Sequence, residues 1–173
     1  LILGLPLIGV FMGWGYHKYG ANAIFGNHLV VGEANERKNR IPLRMTPMVL
    51  AGTLLTHLFG GSAGREGTAV QMGASLADTV RRLLNLKSND HRLVVMAGIS
   101  AGFGSVFGVP FAGFIFGLEV QKVGRMRYNA VIPCLVSSIL GDATAHYLQA
   151  PHASYPLLPQ LDLDLFLIMK CVI

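Results

Sequence analysis

Four stretches of the chain are almost free of Lys, Arg, Asp and Glu: Leu1–Tyr16, Met45–Phe59, Leu93–Val120 and Ala130–Tyr147. Several approach the ~20 residues needed to cross about 30 Å of hydrocarbon, and the others are too short for a full crossing. Between them lie three basic clusters: Arg37–Arg44 with Lys38 and Arg40, Arg81–Arg92 with Arg82 and Lys87, and Lys122–Arg127 with Arg125. If all three face the cytoplasm, every segment joining two of them must enter the membrane and return. The 29 residues between Arg92 and Lys122 are too few for two full spans. They predict a hairpin of half-length helices broken at "GSVFGVP", Gly104–Pro110. By the same logic, Arg44 to Arg81 predicts a helix outward over roughly Thr46–Leu58, the glycine-rich turn "GGSAGREG", and a helix back from about Gly67. Ala130–Tyr147 is long enough to cross to the outside, where "QAPHASYPLLPQ" carries no Lys or Arg. The expected fold class is all-α, a polytopic membrane protein of tilted, broken and half-length helices.

Composition agrees with lipid. The 173 residues are 52% hydrophobic and 13% charged, against about 25% charged in soluble domains. The formal charge of +5 raises nucleic acid as a partner, but the basic residues form separate clusters without interleaved aromatics, so no nucleic acid is expected. Cys134 and Cys171, 37 positions apart in apolar surroundings, read as packing residues. His28, His57, His91, His146 and His152 show no ligand spacing and His17 precedes Lys18 at an apparent membrane edge; they read as interfacial or loop residues, with His28 the exception because it follows Asn27, and no metal is expected. Asp142 is expected to cap a helix or face water. Trp14, Tyr16, Tyr19 and Tyr147 stand near span ends as interfacial anchors. Gly98 and Gly102, Gly104 and Gly108, and Gly113 and Gly117 recur at the spacing of close helix packing in lipid. Without an initiator Met or a cleavage site, and stopping inside the apolar run Leu163–Ile173, the chain reads as a piece of something longer. Three parts follow: residues 1–148 as a transmembrane unit, 149–162 as an outer loop, and 163–173 as the start of another helix.

The chemistry concentrates at "GGSAGREGTAVQMG", Gly60–Gly73, where Arg65 and Glu66 stand together among glycines. Irregular backbone within a membrane is tolerated where it is buried in protein or lines a water-filled cavity, and broken helices meeting near the midplane form many transporter sites. A helix start offers unpaired N–H groups and the positive end of the macrodipole, which together hold anions. Gly67 and Thr68 are expected to donate the first free amides. Two further breaks are candidates to converge there: "FGNHLVVGE", Phe25–Glu33, and "FGVPFAG", Phe107–Gly113, with Pro110 in a favoured first-turn position. An ionised carboxylate at a helix centre costs about 2.5–3.5 kcal/mol to insert, so an intramembrane glutamate is a functional candidate. A carboxylate at an anion site would compete with the ion when charged and leave when protonated, coupling anion to proton movement. The structural alternative, a local Arg65–Glu66 ion pair at the outer surface, is disfavoured because adjacent helical residues do not face one another.

At these residues the chain resembles the CLC family of chloride channels and anion/proton antiporters. "GREGT" is similar to the family's GREGP motif, whose glutamate is the external gate, and that role carries over to Glu66. "GNHLV" falls where the family's GSGIP stands, which puts Asn27 at the serine that coordinates the central anion. The resemblance therefore implies anion-binding positions at Gly26, Asn27, His28 and Leu29 and at Gly64, Arg65, Gly67 and Thr68. It runs from about Leu1 to Tyr147 and is most specific over Gly60–Lys122, including "AGFGSVFGVPFAGFIFGLE". Val120 follows Glu119 where chloride-exchanging members usually carry a second glutamate, so the inner proton-relay carboxylate is missing. Asn27 in place of serine and Thr68 in place of proline look like the fluoride/proton antiporter branch, and an amide offers N–H donors to a small, strongly hydrated anion.

The resemblance implies one inverted-repeat half of the CLC fold, and a homodimer with one pore per subunit joined through Val109–Val120 and Ala130–Tyr147. It further implies a bacterial inner membrane location, and ligands limited to the transported anion and proton, without a cofactor. The alternative within the family is a chloride channel or chloride/proton antiporter. An enzyme using the glycine-rich loop to cradle phosphate is disfavoured, because no Lys-Ser or Lys-Thr pair follows the glycines. A cation transporter using the glutamate is disfavoured by the polarity of helix N-termini.

Overall fold

The computed structural model describes residues 4–35, 40–87, 90–120 and 127–150. They form seven α-helices: α1 (Leu5–Tyr19), α2 (Gly26–Asn35), α3 (Met45–Leu58), α4 (Arg65–Leu83), α5 (His91–Phe107), α6 (Pro110–Glu119) and α7 (Val131–Tyr147). Short 3₁₀ turns, Ala21–Phe25 and Tyr128–Ala130, lead into α2 and α7, and no strand occurs among the described residues. The expectations for residues 151–173, and for Arg37, Lys38, Lys122 and Arg125, lie outside the described residues.

Buried polar contacts gather the basic clusters at one end of the molecule. Asp78, near the end of α4, accepts from the amide of Ile41 at 3.3 Å. Arg82 donates to the Ile41 carbonyl at 3.2 Å, and Ser75 donates to the Pro42 carbonyl at 2.9 Å. The first and second clusters therefore meet. At the same end, Ala130 before α7 packs with Met96 of α5 and Leu118 of α6. From α3 onward, successive helices thus run alternately away from and back to this basic end.

The predicted hairpin is present as α5 and α6, and its break has a local cause. Gly108 caps α5 with φ 66° and ψ 30°, the left-handed conformation that glycine adopts without a Cβ penalty. Pro110 then occupies the first turn of α6, where its missing N–H leaves no helical bond unmade. Of the predicted glycine pairs, Gly98 and Gly102 bring α5 against α4: a Cβ on either would strike backbone of Gly73 or Ala69. Gly113 lies so close to Gly104 that a Cβ would stand 2.6 Å from the Gly104 nitrogen.

No helix among the described residues is long and apolar enough to cross a membrane. The 17 residues of α7 extend ~26 Å at 1.5 Å per residue, so this segment falls short of the full crossing expected of it. α4, at 19 residues, has the length, but Asp78, Arg81 and Arg82 occupy its last turns. The assembly is one of short helices set against one another, not of spanning rods.

Candidate functional site

α4 begins two residues earlier than its sequence suggests. Gly64 takes an extended conformation, φ −69° and ψ 129°, and serves as the N-cap without a side-chain bond, so Arg65 is already helical. The amides that precede the first intrahelical bond are therefore those of Gly64, Arg65, Glu66 and Gly67. Thr68, expected as a free amide donor, is inside the helical ladder. Its hydroxyl instead donates to the Gly64 carbonyl at 3.1 Å and meets the Thr53 hydroxyl at 2.8 Å. Thr53 is the ninth of the 14 residues of α3, so the first turn of α4 lies beside the middle of α3.

The start of α2 comes to the same place. Gly26, at φ 52° and ψ −128°, makes a turn that L side chains rarely adopt. Asn27 Oδ1 then accepts from Gln71 Nε2 at 2.9 Å. A Cβ at Gly67 would stand 3.0 Å from Asn27 Nδ2. Gly26, Asn27, Gly64, Arg65, Glu66, Gly67 and Thr68 thus belong to two helix starts that adjoin. His28 is exposed, whereas Leu29 is 6% exposed and packs in the core with Val30 and Val70, so its side chain faces away from the opening.

The third expected terminus is not part of this arrangement. Pro110, at the start of α6, accepts from the Ser138 hydroxyl at 2.7 Å and abuts Gly104, which fixes it between α5 and α7.

Glu66 and Arg65 are both exposed, and no ion pair joins them among the described residues. Arg65, Thr53 and Thr68 also line an apolar groove of about 880 Å³ between α3, α4, α5 and α7. Asn27 and Gln71 do not line it, so the cleft of the two helix starts lies on another face of α4.

Some polar residues behave differently from their sequence reading. His91, expected at an interface or in a loop, is 7% exposed, and its Nε2 lies 3.1 Å from Asp78 Oδ1. Arg81 Nε approaches the same oxygen at 2.9 Å. The Asp142 side chain is 17% exposed with His146 Nε2 at 3.8 Å, so it is largely covered instead of facing water. Trp14 and Tyr19 do sit exposed at the end of α1, with Lys18 Nζ 4.9 Å from the Trp14 ring centroid. Cys134 is buried, as expected of a packing residue. Neither Gln71 nor Thr53 is singled out by the sequence pattern; the signal for Gln71 is its place one turn after Gly67 on the same helix face.

No group of three or more His, Cys, Asp or Glu among the described residues is arranged to hold a metal. The chemistry on offer is that of exposed backbone amides, an amide side chain and a carboxylate.

Comparison with known proteins bears on the same region. Residues 8–173 match the family described as voltage gated chloride channel. The chain is 47% identical over 168 residues to a chloride/fluoride channel protein of Pseudomonas syringae pv. tomato, covering 97% of this chain and 37% of that protein. It is 33% identical over 89 residues to the H⁺/Cl⁻ exchange transporter ClcA of Citrobacter koseri, covering 51% of this chain and 19% of that one. Among solved structures it is similar to a CLC-type fluoride/proton antiporter, with a TM-score of 0.89 and 38% identity, covering 98% of this chain and 43% of that chain. The chain therefore spans well under half the length of these relatives.

Proposed function

The chain belongs to the voltage-gated chloride channel family, and from that premise we propose that it supplies one half of a transmembrane anion pathway that exchanges fluoride for protons. As a member of that family it is a membrane protein with an all-α fold. The observation that carries the proposal is the cleft where the first turn of α4, with Glu66 among its unbonded amides, adjoins Asn27 at the start of α2. Amide donors there offer an anion partial positive charge without a full cation.

Glu66 is proposed as the gate. Ionised, it occupies the site in place of the anion; protonated, it withdraws, and one exchange moves each species in opposite directions. Asn27, Gly67 and the amides beside them form the anion site, with Gly26, His28 and Gly64 beside it. The names of the two similar proteins, a chloride/fluoride channel and a fluoride/proton antiporter, support fluoride as the ion. Transport, not an enzymatic reaction, is the proposed activity, with no cofactor beyond anion and proton. A bacterial inner membrane and a homodimer through 109–120 and 130–147 complete the proposal.

The test uses the full-length protein in proteoliposomes, with electrodes recording fluoride, chloride and pH. Wild type is expected to move fluoride against a proton gradient, and Glu66→Gln to abolish proton coupling while anion movement persists. Unchanged coupling in Glu66→Gln would remove the role given to Glu66. Robust chloride exchange without fluoride transport would replace the fluoride assignment with a chloride/proton antiporter.

A further inference from the structure

The hydrogen bond between the two helix starts gives a role to an uncharged residue outside the glycine-rich motif. Asn27 has two ends of equal size, an oxygen that accepts and a nitrogen that donates two hydrogens. Turned toward an anion, the oxygen repels and the nitrogen attracts. Shape alone cannot choose between them, so a neighbour must.

In the structure Gln71 pairs with the oxygen end. Its Nε2 donates to Asn27 Oδ1 at 2.9 Å, which engages the oxygen. The nitrogen then lies on the side of Gly67: a Cβ at that position would stand 3.0 Å from Nδ2 and 3.7 Å from Oδ1. The Gly67 amide is among those without a helical partner, so side-chain and backbone donors gather on one side of the cleft. A Cβ at Gly26 would stand 3.7 Å from Gln71 Nε2, so the glutamine also lies against the first residue of α2.

We infer that Gln71 is a positioning residue that sets anion preference, holding the Asn27 amide with its N–H donors toward the ion and its oxygen away. This rests on the anion-transport reading above and deepens it. Gln71 acts only through Asn27. A small, charge-dense anion gains more from fixed N–H donors than a large one does, so the effect falls on fluoride more than on chloride.

The experiment compares Gln71→Leu, Gln71→Met, Gln71→Glu and Asn27→Ser, alone and with Asn27→Ser combined with Gln71→Leu, in the full-length protein. Fluoride and chloride efflux from proteoliposomes is recorded across concentration, with elution as a single species as the folding control. Gln71→Leu is expected to raise the half-saturating fluoride concentration about tenfold, the worth of one hydrogen bond, with a smaller change in maximal rate and in chloride. Gln71→Met gives the same reading should the leucine variant not fold. Gln71→Glu, which has no donor for Oδ1, is expected to lose at least as much.

A serine hydroxyl rotates to donate unaided, so in the Asn27→Ser background Gln71→Leu should change half-saturation by no more than about twofold. Equal fold-changes in both backgrounds would show that Gln71 only packs, and would overturn the inference. So would wild-type fluoride affinity in Gln71→Leu and Gln71→Met. A wild-type protein that moves neither ion would overturn the transport reading itself, a result distinct from either of these.

Discussion

Asp78 shows what a single buried charge contributes here. Its side chain is fully buried, and Arg81, Arg82 and His91 approach its two oxygens at 2.9, 3.6 and 3.1 Å while the Ile41 amide donates to it. Removing one member of a buried ionic group leaves the others uncompensated, at a cost of about 3–5 kcal/mol. Asp78→Ala is therefore expected to lower the melting temperature of the detergent-solubilised protein more strongly than Lys87→Ala on the exposed stretch after α4. Equal melting temperatures would show that the loop at Ile41 holds α4 without the carboxylate. Single-residue chemistry was unevenly legible. Glu66 stands out in the sequence because it lies beside Arg65 between Gly64 and Gly67 in apolar surroundings. Asp78 and His91 are separated by 13 positions and Gln71 and Asn27 by 44, and no local pattern announces a partner that distant.

At the level of helices, close approach between α4 and α5 depends on missing side chains. Gly73, Gly98 and Gly102 bring the two backbones together, and a Cβ at Gly102 would enter the space of the Ala69 carbonyl. Gly102→Val is expected to force the helices apart and destabilise by about 1–3 kcal/mol, the usual range for overpacking. Gly13→Val, on α1 where a Cβ meets nothing within 4 Å, serves as the contrast and should leave thermal unfolding nearly unchanged. Comparable losses from both would mean that helix propensity, not contact, sets the effect. Helix order and breaks were largely legible, because basic clusters and glycine–proline punctuation are local signals. α4 starts two residues before the expected Gly67 because Gly64, and not Glu66, takes the extended cap conformation. The packing of α6 was less legible, because a proline marks where a helix begins but not which neighbour, here Ser138 of α7, holds its start.

Across the whole molecule, exposure alone does not separate surface meant for lipid from surface meant for protein. α1 exposes Leu7, Val10, Phe11 and Trp14, and α7 exposes Ile132, Val136, Ile139 and Leu140, each set following one helical face. In lipid, apolar area gives no preference between a tail and a partner helix, so association depends on packing. α6 adds Phe111 and Ile115, and it packs on α7 through Gly113 beside Ser138, so the two helices present one continuous apolar surface. The proposed homodimer uses this surface and not that of α1. Ile115→Trp combined with Val136→Trp should then convert the full-length protein in detergent from dimer to monomer, as read by light scattering during gel filtration. Leu7→Trp on α1 should leave the dimer intact. A dimer that survives the paired substitution would assign the α6–α7 surface to lipid and move the interface elsewhere.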